Sequence, residues 1–251
     1  GLDGVARLDD RFTAQASGPP AASRRSTGLA AARPAGDADT MSIPLWSGFT
    51  SWLIPPNCAL CGAAGCGGLD LCSNCLSTLP RPGAVCARCG LPVSAAAAAC
   101  GRCLAAPPRF DAVIAPLRYD YPADRAVQAF KFQGDLSLGR SLSALLIEAV
   151  RQRGDPLPEL LLPVPLHPAR LRERGFNQSL EIARHVGRSL DLPVRHDLLV
   201  RRRSTAAQSG LDRRARRQNV RGAFVLTGPR AWPARVAIVE DVLTTGATVA
   251  E

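Results

Sequence analysis

The chain has 251 residues, of which 46% are hydrophobic, so it can bury the core of one large domain or of two small ones. The formal net charge is +10, and among the 31 basic residues Lys131 is the single lysine. This composition favours a soluble globular protein over a membrane-spanning one.

The first forty residues are rich in Ala, Arg, Gly, Pro, Ser and Asp and have no apolar period. Such a segment buries too little surface to offset its ordering entropy, so we expect residues 1–40 to form a disordered leader. Met41 opens the first apolar pattern, which favours a translation start there and an upstream stretch included in error. The alternative is a genuine flexible leader.

A short apolar segment follows at residues 41–57. It lacks a basic start and a small-residue cleavage site, and it is shorter than the roughly 20 residues of a bilayer span. We therefore predict neither a signal peptide nor a membrane helix, and we expect a cytoplasmic protein.

Nine cysteines fall between residues 58 and 103, and eight of them form C-x-x-C pairs. The pairs are Cys58/Cys61, Cys72/Cys75, Cys86/Cys89 and Cys100/Cys103, and Cys66 is left over. Two such pairs supply the four thiolates of a structural zinc site, which has no open position for catalysis. A disulfide framework is the alternative, and a reducing compartment disfavours it. The spacing predicts a zinc-ribbon-like module at 58–106 and leaves open whether two ions bind in sequence or the pairs interleave.

From residue 107 the pattern becomes that of an α/β domain. Strands are predicted at 112–119, 160–164 and 236–239, and helices at 124–132, 137–153 and 177–190. Strands alternating with helices indicate a mostly parallel sheet, in which ligands bind beyond the carboxyl ends of the strands.

The loop after the strand at 236–239 carries the clearest ligand-binding pattern. Glu240 and Asp241 can accept hydrogen bonds from vicinal ribose hydroxyls, and residues 244–248 form a glycine-containing, threonine-rich turn into a helix. Backbone amides and hydroxyls at such a turn suit a phosphate. The pattern therefore favours a phosphorylated sugar over a capped helix turn with two solvated acids.

Over residues 53–251 the chain resembles the ComF family of phosphoribosyltransferase-like proteins, which is associated with DNA uptake in bacterial competence. The matching motifs are the C-x-x-C pairs, Phe130-Lys-Phe132, Pro163-Val-Pro-Leu-His-Pro168, Arg172-Glu-Arg-Gly-Phe-Asn-Gln178, the stretch from Thr205-Ala-Ala-Gln208 to Arg217-Gln-Asn219, and Glu240-Asp-Val-Leu-Thr-Thr-Gly-Ala-Thr248. Many relatives have Asp-Asp where this chain has Glu240-Asp241, and both are carboxylate pairs.

The resemblance implies a type I phosphoribosyltransferase-like fold at 107–251, truncated at its C-terminus, that binds 5-phosphoribosyl diphosphate (PRPP). Glu240 and Asp241 would be the catalytic pair on the ribose hydroxyls. The 5-phosphate would contact Thr244, Thr245, Gly246, Ala247 and Thr248, and the diphosphate would lie near Arg170, Arg172 and Arg174. Mg²⁺ would bridge diphosphate and ribose oxygens and use few protein ligands.

Between residues 170 and 221 there are 14 arginines and five acidic residues, a net charge of +9. Such a block needs an anionic partner or a well-solvated face. One hypothesis is a glycosyltransferase that transfers a phosphoribosyl group to an unidentified acceptor. The other is a non-catalytic protein that senses PRPP or a nucleotide, binds single-stranded DNA through the arginine-rich segment and serves the competence machinery.

Four further residues have two interpretations each. His167 could contact the diphosphate or cap its loop, and Lys131 could have a specific role or lie along a helix face. Asn177 and Gln178 could orient the substrate or cap a helix, and capping is slightly favoured.

Overall fold

A computed structural model describes residues 56–205, 213–228, 231–244 and 246–251. The predicted leader at 1–40 and nearly all of the apolar segment at 41–57 lie outside these residues. The described helices are α1 (Ser73–Thr78), α2 (Gly101–Ala105), α3 (Ala123–Phe132), α4 (Leu136–Arg153), α5 (Pro168–Arg174), α6 (Gln178–Leu190), α7 (Arg213–Val220) and α8 (Ala247–Ala250). The described strands are β1 (Leu160–Pro163), β2 (Leu199–Arg201), β3 (Phe224–Leu226) and β4 (Val236–Val239).

The architecture is a cysteine-rich module followed by a mixed α/β unit. Strands β1 and β4 pair in parallel, with Leu160 opposite Val236 and Pro163 opposite Val239. A parallel bridge between Leu161 and Val194 extends this pairing on the other side of β1. The predicted parallel sheet is therefore present and small, and β2 and β3 form a separate antiparallel pair.

The predicted helices at 124–132, 137–153 and 177–190 are confirmed to within one residue as α3, α4 and α6. Their ends follow local capping chemistry. The Asp135 side chain accepts hydrogen bonds from the first-turn N–H groups of α4, and Gly154 ends that helix in the left-handed conformation. Asn177 caps α6 in the same way by accepting from the Ser179 N–H.

The strand predicted at 112–119 is wrong, because no strand is assigned there. Its backbone groups bond to the cysteine-rich module instead of to a sheet. Val113 N–H donates to the Ala87 carbonyl, and Arg118 N–H donates to the Pro80 carbonyl. Pro116 also removes one donor that a central strand would need.

The first half of the cysteine-rich module belongs to the same core as the α/β unit. Cys58, Leu71, Cys72 and Leu79 are buried. They form one hydrophobic cluster with residues of α3, α4, α6 and the parallel strands. The second half packs in a smaller cluster around Phe110. No helix among the described residues is long and apolar enough to cross a membrane.

Candidate functional site

The eight paired cysteines form two clusters in sequence order. Cys58, Cys61, Cys72 and Cys75 form the first, and Cys86, Cys89, Cys100 and Cys103 form the second. Within each cluster the sulfur atoms all lie within 4.8 Å of one another, which fits four thiolates around one tetrahedral ion. The pairs therefore do not interleave, and Cys66 belongs to neither cluster.

Each cluster contains at least one thiol whose pKa is lowered by backbone amides, which favours metal binding. Burial acts to raise the pKa of Cys58, but hydrogen bonds from the backbone of Cys72, Leu60 and Cys61 outweigh it and lower the pKa to about 6. Cys86 behaves in the same way, and its pKa is also lowered to about 6. Because the thiolate is the zinc ligand, both clusters offer the chemistry of a closed structural zinc site.

The parallel pairing of β1 and β4 brings two predicted loops to one edge of the sheet. Val164 N–H donates to the Val239 carbonyl at 2.9 Å, so the loop after β1 begins beside Glu240. Asn177 then ties this loop to α6, since its Nδ2 donates to the Val164 carbonyl at 3.1 Å. The sheet edge thus combines the acid pair with the loop that leads into the predicted arginine sites.

Asp241 forms an ion pair with the single lysine of the chain. The distance from Lys131 Nζ to Asp241 Oδ2 is 3.0 Å, and the two side chains are only 17% and 16% exposed. Lys131 therefore has a specific contact and does not lie along a solvated helix face. The sequence left this question open because the two residues are far apart in the chain.

Glu240 is partly buried among charged groups. Burial raises the pKa of Glu240 to about 7, and the negative charge of Asp241 acts in the same direction. A hydrogen bond with the Thr248 side chain and the positive charges of Lys131 and Arg201 oppose this shift. Glu240 and Thr248, which were both predicted to bind the sugar phosphate, are thus hydrogen-bonded to each other.

The predicted phosphate loop is described except for Thr245, which lies outside the described residues. Thr244 is exposed, and Gly246 begins the turn into α8 with a φ of 68°. The left-handed backbone favours glycine, and a Cβ at Gly246 would also lie 3.2 Å from Phe110 Cε1, a tight contact. Ala247 is buried behind this turn.

The three predicted arginines lie on helix α5. The Arg174 guanidinium stacks on Phe132 at 5.0 Å from the ring centroid and donates to Gln178 Oε1 at 3.2 Å. Arg170 is about one-third exposed, and Arg172 is exposed. Only Arg174 is therefore tied into the packed interior.

Arg201, at the end of β2, is a site residue that the sequence did not single out. Burial lowers its pKa, with the charge of Glu240 opposing that shift and the charge of Arg170 reinforcing it. The charge of Arg201 is therefore felt by both Arg170 on α5 and Glu240 of the acid pair. Its Nε is buried and has no hydrogen-bond partner among the described residues, as is also true of Arg174 Nε. Local sequence gives no signal for this, because Arg201 is one of three consecutive arginines.

Capping explains two of the remaining candidates. His167 Nδ1 accepts a hydrogen bond from the Ala169 N–H at 3.3 Å, so His167 is the N-cap of α5. Asn177 caps α6, as favoured from the sequence. Gln178 is instead 1% exposed, and it links Arg174 to the backbone of Lys131.

Comparisons with known proteins agree with a zinc-containing protein. Residues 49–104 match the family described as a double zinc ribbon domain, which together with the two clusters supports structural zinc. Over 148 residues the chain is 37% identical to competence protein F of Haemophilus influenzae, covering 57% of this chain and 65% of that relative.

Two further relatives align with about half of the chain. DNA utilization protein YhgH of Shigella flexneri is 36% identical over 137 residues, which cover 53% of this chain and 60% of the relative. Competence protein ComFC of Streptococcus pneumoniae is 28% identical over 120 residues, which cover 48% and 50%. The chain thus spans less than two thirds of the length of these relatives. No solved structure matches it significantly.

These relatives and the zinc ribbon match support the predicted resemblance to the ComF family, with a zinc module ahead of the α/β unit.

Proposed function

We propose that this protein binds PRPP together with Mg²⁺ at the shared edge of β1 and β4, and that it acts in DNA uptake. The α/β unit at 107–251 would have a type I phosphoribosyltransferase-like fold. The observation that carries the proposal is the parallel pairing of β1 with β4, because it brings the acid pair and the arginine-bearing helix to one edge. Parallel α/β sheets bind ligands at such an edge.

The acid pair is the ribose-binding element of the proposal. Two adjacent carboxylates can each accept a hydrogen bond from one of the vicinal ribose hydroxyls. The Lys131 contact holds Asp241 in one orientation, and Thr248 does the same for Glu240. A sugar that binds here would place its 5-phosphate toward the turn at Gly246.

The arginines provide the positive charge that a diphosphate group requires. Arg174 and Arg201 each keep one buried N–H donor without a partner among the described residues, and Arg170 lies near Arg201. Guanidinium groups match the geometry of phosphate oxygens and stay charged throughout. These residues would hold the diphosphate while its bond to C1 of the ribose breaks and an acceptor atom bonds to C1.

Magnesium fits the proposal as a ligand-borne ion. Among the described residues, the two cysteine clusters are the only groups of three or more His, Cys, Asp or Glu side chains that could hold a metal. A Mg²⁺ ion at the sheet edge would therefore depend on phosphate oxygens and water, which this ion commonly uses. When bound, it would neutralise charge that develops on the departing diphosphate.

The names of the relatives support the DNA-uptake part of the proposal, since two of them are called competence proteins and one a DNA utilization protein. The alternative is single-stranded DNA binding by the arginine-rich segment. Residues 206–212 of that segment lie outside the described residues. PRPP binding is common to a phosphoribosyltransferase and to a non-catalytic sensor, so it is the property to test first.

Calorimetric titration of PRPP with and without Mg²⁺ tests the proposed site. We expect Mg²⁺-dependent binding that Asp241→Asn weakens by about tenfold or more, because one charged hydrogen-bond acceptor is lost. Asp155→Asn is the matched control. Asp155 precedes β1 and so lies toward the opposite end of the strand, and its variant should bind like the wild type. Absence of PRPP binding by the wild type would overturn the proposal.

A further inference from the structure

The C-terminal turn of α3 contributes a charged group to the sheet edge that no ligand-binding role has yet explained. Lys131 lies one residue before the end of this helix, and its Nζ reaches Asp241 Oδ2 at 3.0 Å. Both side chains are less than one-fifth exposed. Removing one partner of such a pair leaves the other charge poorly solvated, so the contact constrains both groups.

The position of Lys131 is fixed from behind by packing and by a hydrogen bond. The preceding residue, Phe130, is 0% exposed and packs against the tilted ring of Phe176 at 5.6 Å between ring centroids. Gln178 Nε2 donates to the Lys131 carbonyl at 3.4 Å. The ammonium group therefore extends from a rigid helix end toward the loop after β4.

A continuous chain of polar contacts results. Arg174 Nη1 donates to Gln178 Oε1 at 3.2 Å, Gln178 donates to the Lys131 carbonyl, and the Lys131 ammonium contacts Asp241. This chain joins α5, α6, α3 and the loop after β4. It connects the side of the site that carries arginine with the side that carries the acid pair.

We propose that Lys131 is a positioning residue, which fixes one oxygen of Asp241 so that the other oxygen faces the ribose hydroxyls of the ligand. This inference rests on the proposed function. A compact ammonium at the end of a flexible stem can engage a single carboxylate oxygen, whereas the planar guanidinium of arginine tends to engage both. Lysine at this one position therefore leaves an acceptor free for the sugar.

The role of Lys131 is specific to the ribose side of the site. Asp241 pairs with Lys131, whereas Glu240 is hydrogen-bonded to Thr248 and lies near Arg201. Loss of the ammonium should therefore disturb one of the two ribose acceptors and leave the arginines that face the diphosphate in place. A general loss of positive charge from the site would weaken every anionic ligand.

The test compares three ligands with the full chain in the presence of Mg²⁺: PRPP, ribose 5-phosphate and inorganic diphosphate. We expect Lys131→Met to weaken PRPP and ribose 5-phosphate by about tenfold and to leave diphosphate within about twofold of the wild type. In the Asp241→Asn background, Lys131→Met should cause little further loss, because the two residues act through one contact. Arg125→Met, at an exposed position on the same helix, is the matched control.

Thermal melting of each variant separates positioning from loss of fold. If Lys131→Met does not fold, Lys131→Arg provides the same ligand comparison with the charge kept, and it should also weaken ribose 5-phosphate but not diphosphate. Equal PRPP affinity in the wild type and Lys131→Met overturns this inference alone. So does an equal loss for diphosphate, or a fully additive loss with Asp241→Asn. Absence of PRPP binding by the wild type overturns the proposed function and this inference with it.

Discussion

The charge of Glu240 should make the stability of this protein depend on pH. Burial, with the charge of Asp241, raises its pKa from 4.5 to about 7 in the folded state. The folded protein then binds more protons than the unfolded chain between these values, so stability present below pH 4.5 is lost as pH rises through 7. Glu240→Gln removes this titration. We expect the change that it causes in the free energy of unfolding to be more stabilising at pH 8 than at pH 4 by about 2–3 kcal/mol.

Urea denaturation of the wild type and Glu240→Gln at the two pH values measures this difference. Glu148→Gln is the control, because Glu148 is exposed and its variant should show no such gain at pH 8. If Glu240→Gln changed the free energy of unfolding equally at both pH values, the pKa of Glu240 would not be raised by folding.

At the level of single residues, the sequence predicted those site residues that are neighbours in the chain. Glu240 and Asp241 could be selected because they follow a buried strand and precede a glycine turn. Lys131, Gln178 and Arg201 could not be assigned, because their contacts join segments far apart in sequence. Nothing in the local pattern states which arginine of a basic run turns inward.

At the level of helices and strands, local sequence was sufficient to predict a helix whose start carries a side-chain N-cap. Asp135 and Asn177 mark the starts of α4 and α6, and both ends were predicted to within one residue. The strand prediction at 112–119 was wrong because the backbone of this segment bonds to the cysteine-rich module. Hydrophobic periodicity does not reveal such a contact. Helix α5 was not predicted, because it has no buried residue and therefore no apolar stripe in its sequence.

Gly139 determines how closely helices α3 and α4 approach. An added Cβ there would lie 2.6 Å from Phe130 Cε2, and the Phe130 ring is fully buried and cannot move away easily. We expect Gly139→Ala to reduce the free energy of unfolding by about 1–3 kcal/mol, the range found for overpacked cores. Chemical denaturation measures the change.

Gly101 is the matched control, since it also lies in a helix but an added Cβ there would meet no other atom within 4 Å. Gly101→Ala should be neutral or raise stability by up to about 1 kcal/mol through reduced chain entropy. If both alanine variants had the same stability, close packing at Gly139 would not be what spaces the two helices.

For the whole molecule, the two cysteine clusters should differ in how much of the fold depends on them. The first cluster shares its hydrophobic core with α3, α4 and α6, whereas the second packs in a separate cluster around Phe110. Zinc bound to the first cluster therefore stabilises the α/β unit as well as the module. The sequence predicted the zinc ligands, but the shared core depends on contacts between segments that no spacing rule describes.

Cys72→Ser and Cys100→Ser are a matched pair, because each residue precedes a short helix and occupies the equivalent position in its cluster. We expect two zinc ions per wild-type chain and loss of one in either variant. The melting temperature should fall by about 10 °C or more in Cys72→Ser and by clearly less in Cys100→Ser, because only the first substitution weakens the main core. Metal analysis and thermal melting decide the matter. Equal falls in melting temperature would show that the α/β unit draws the same stability from both clusters.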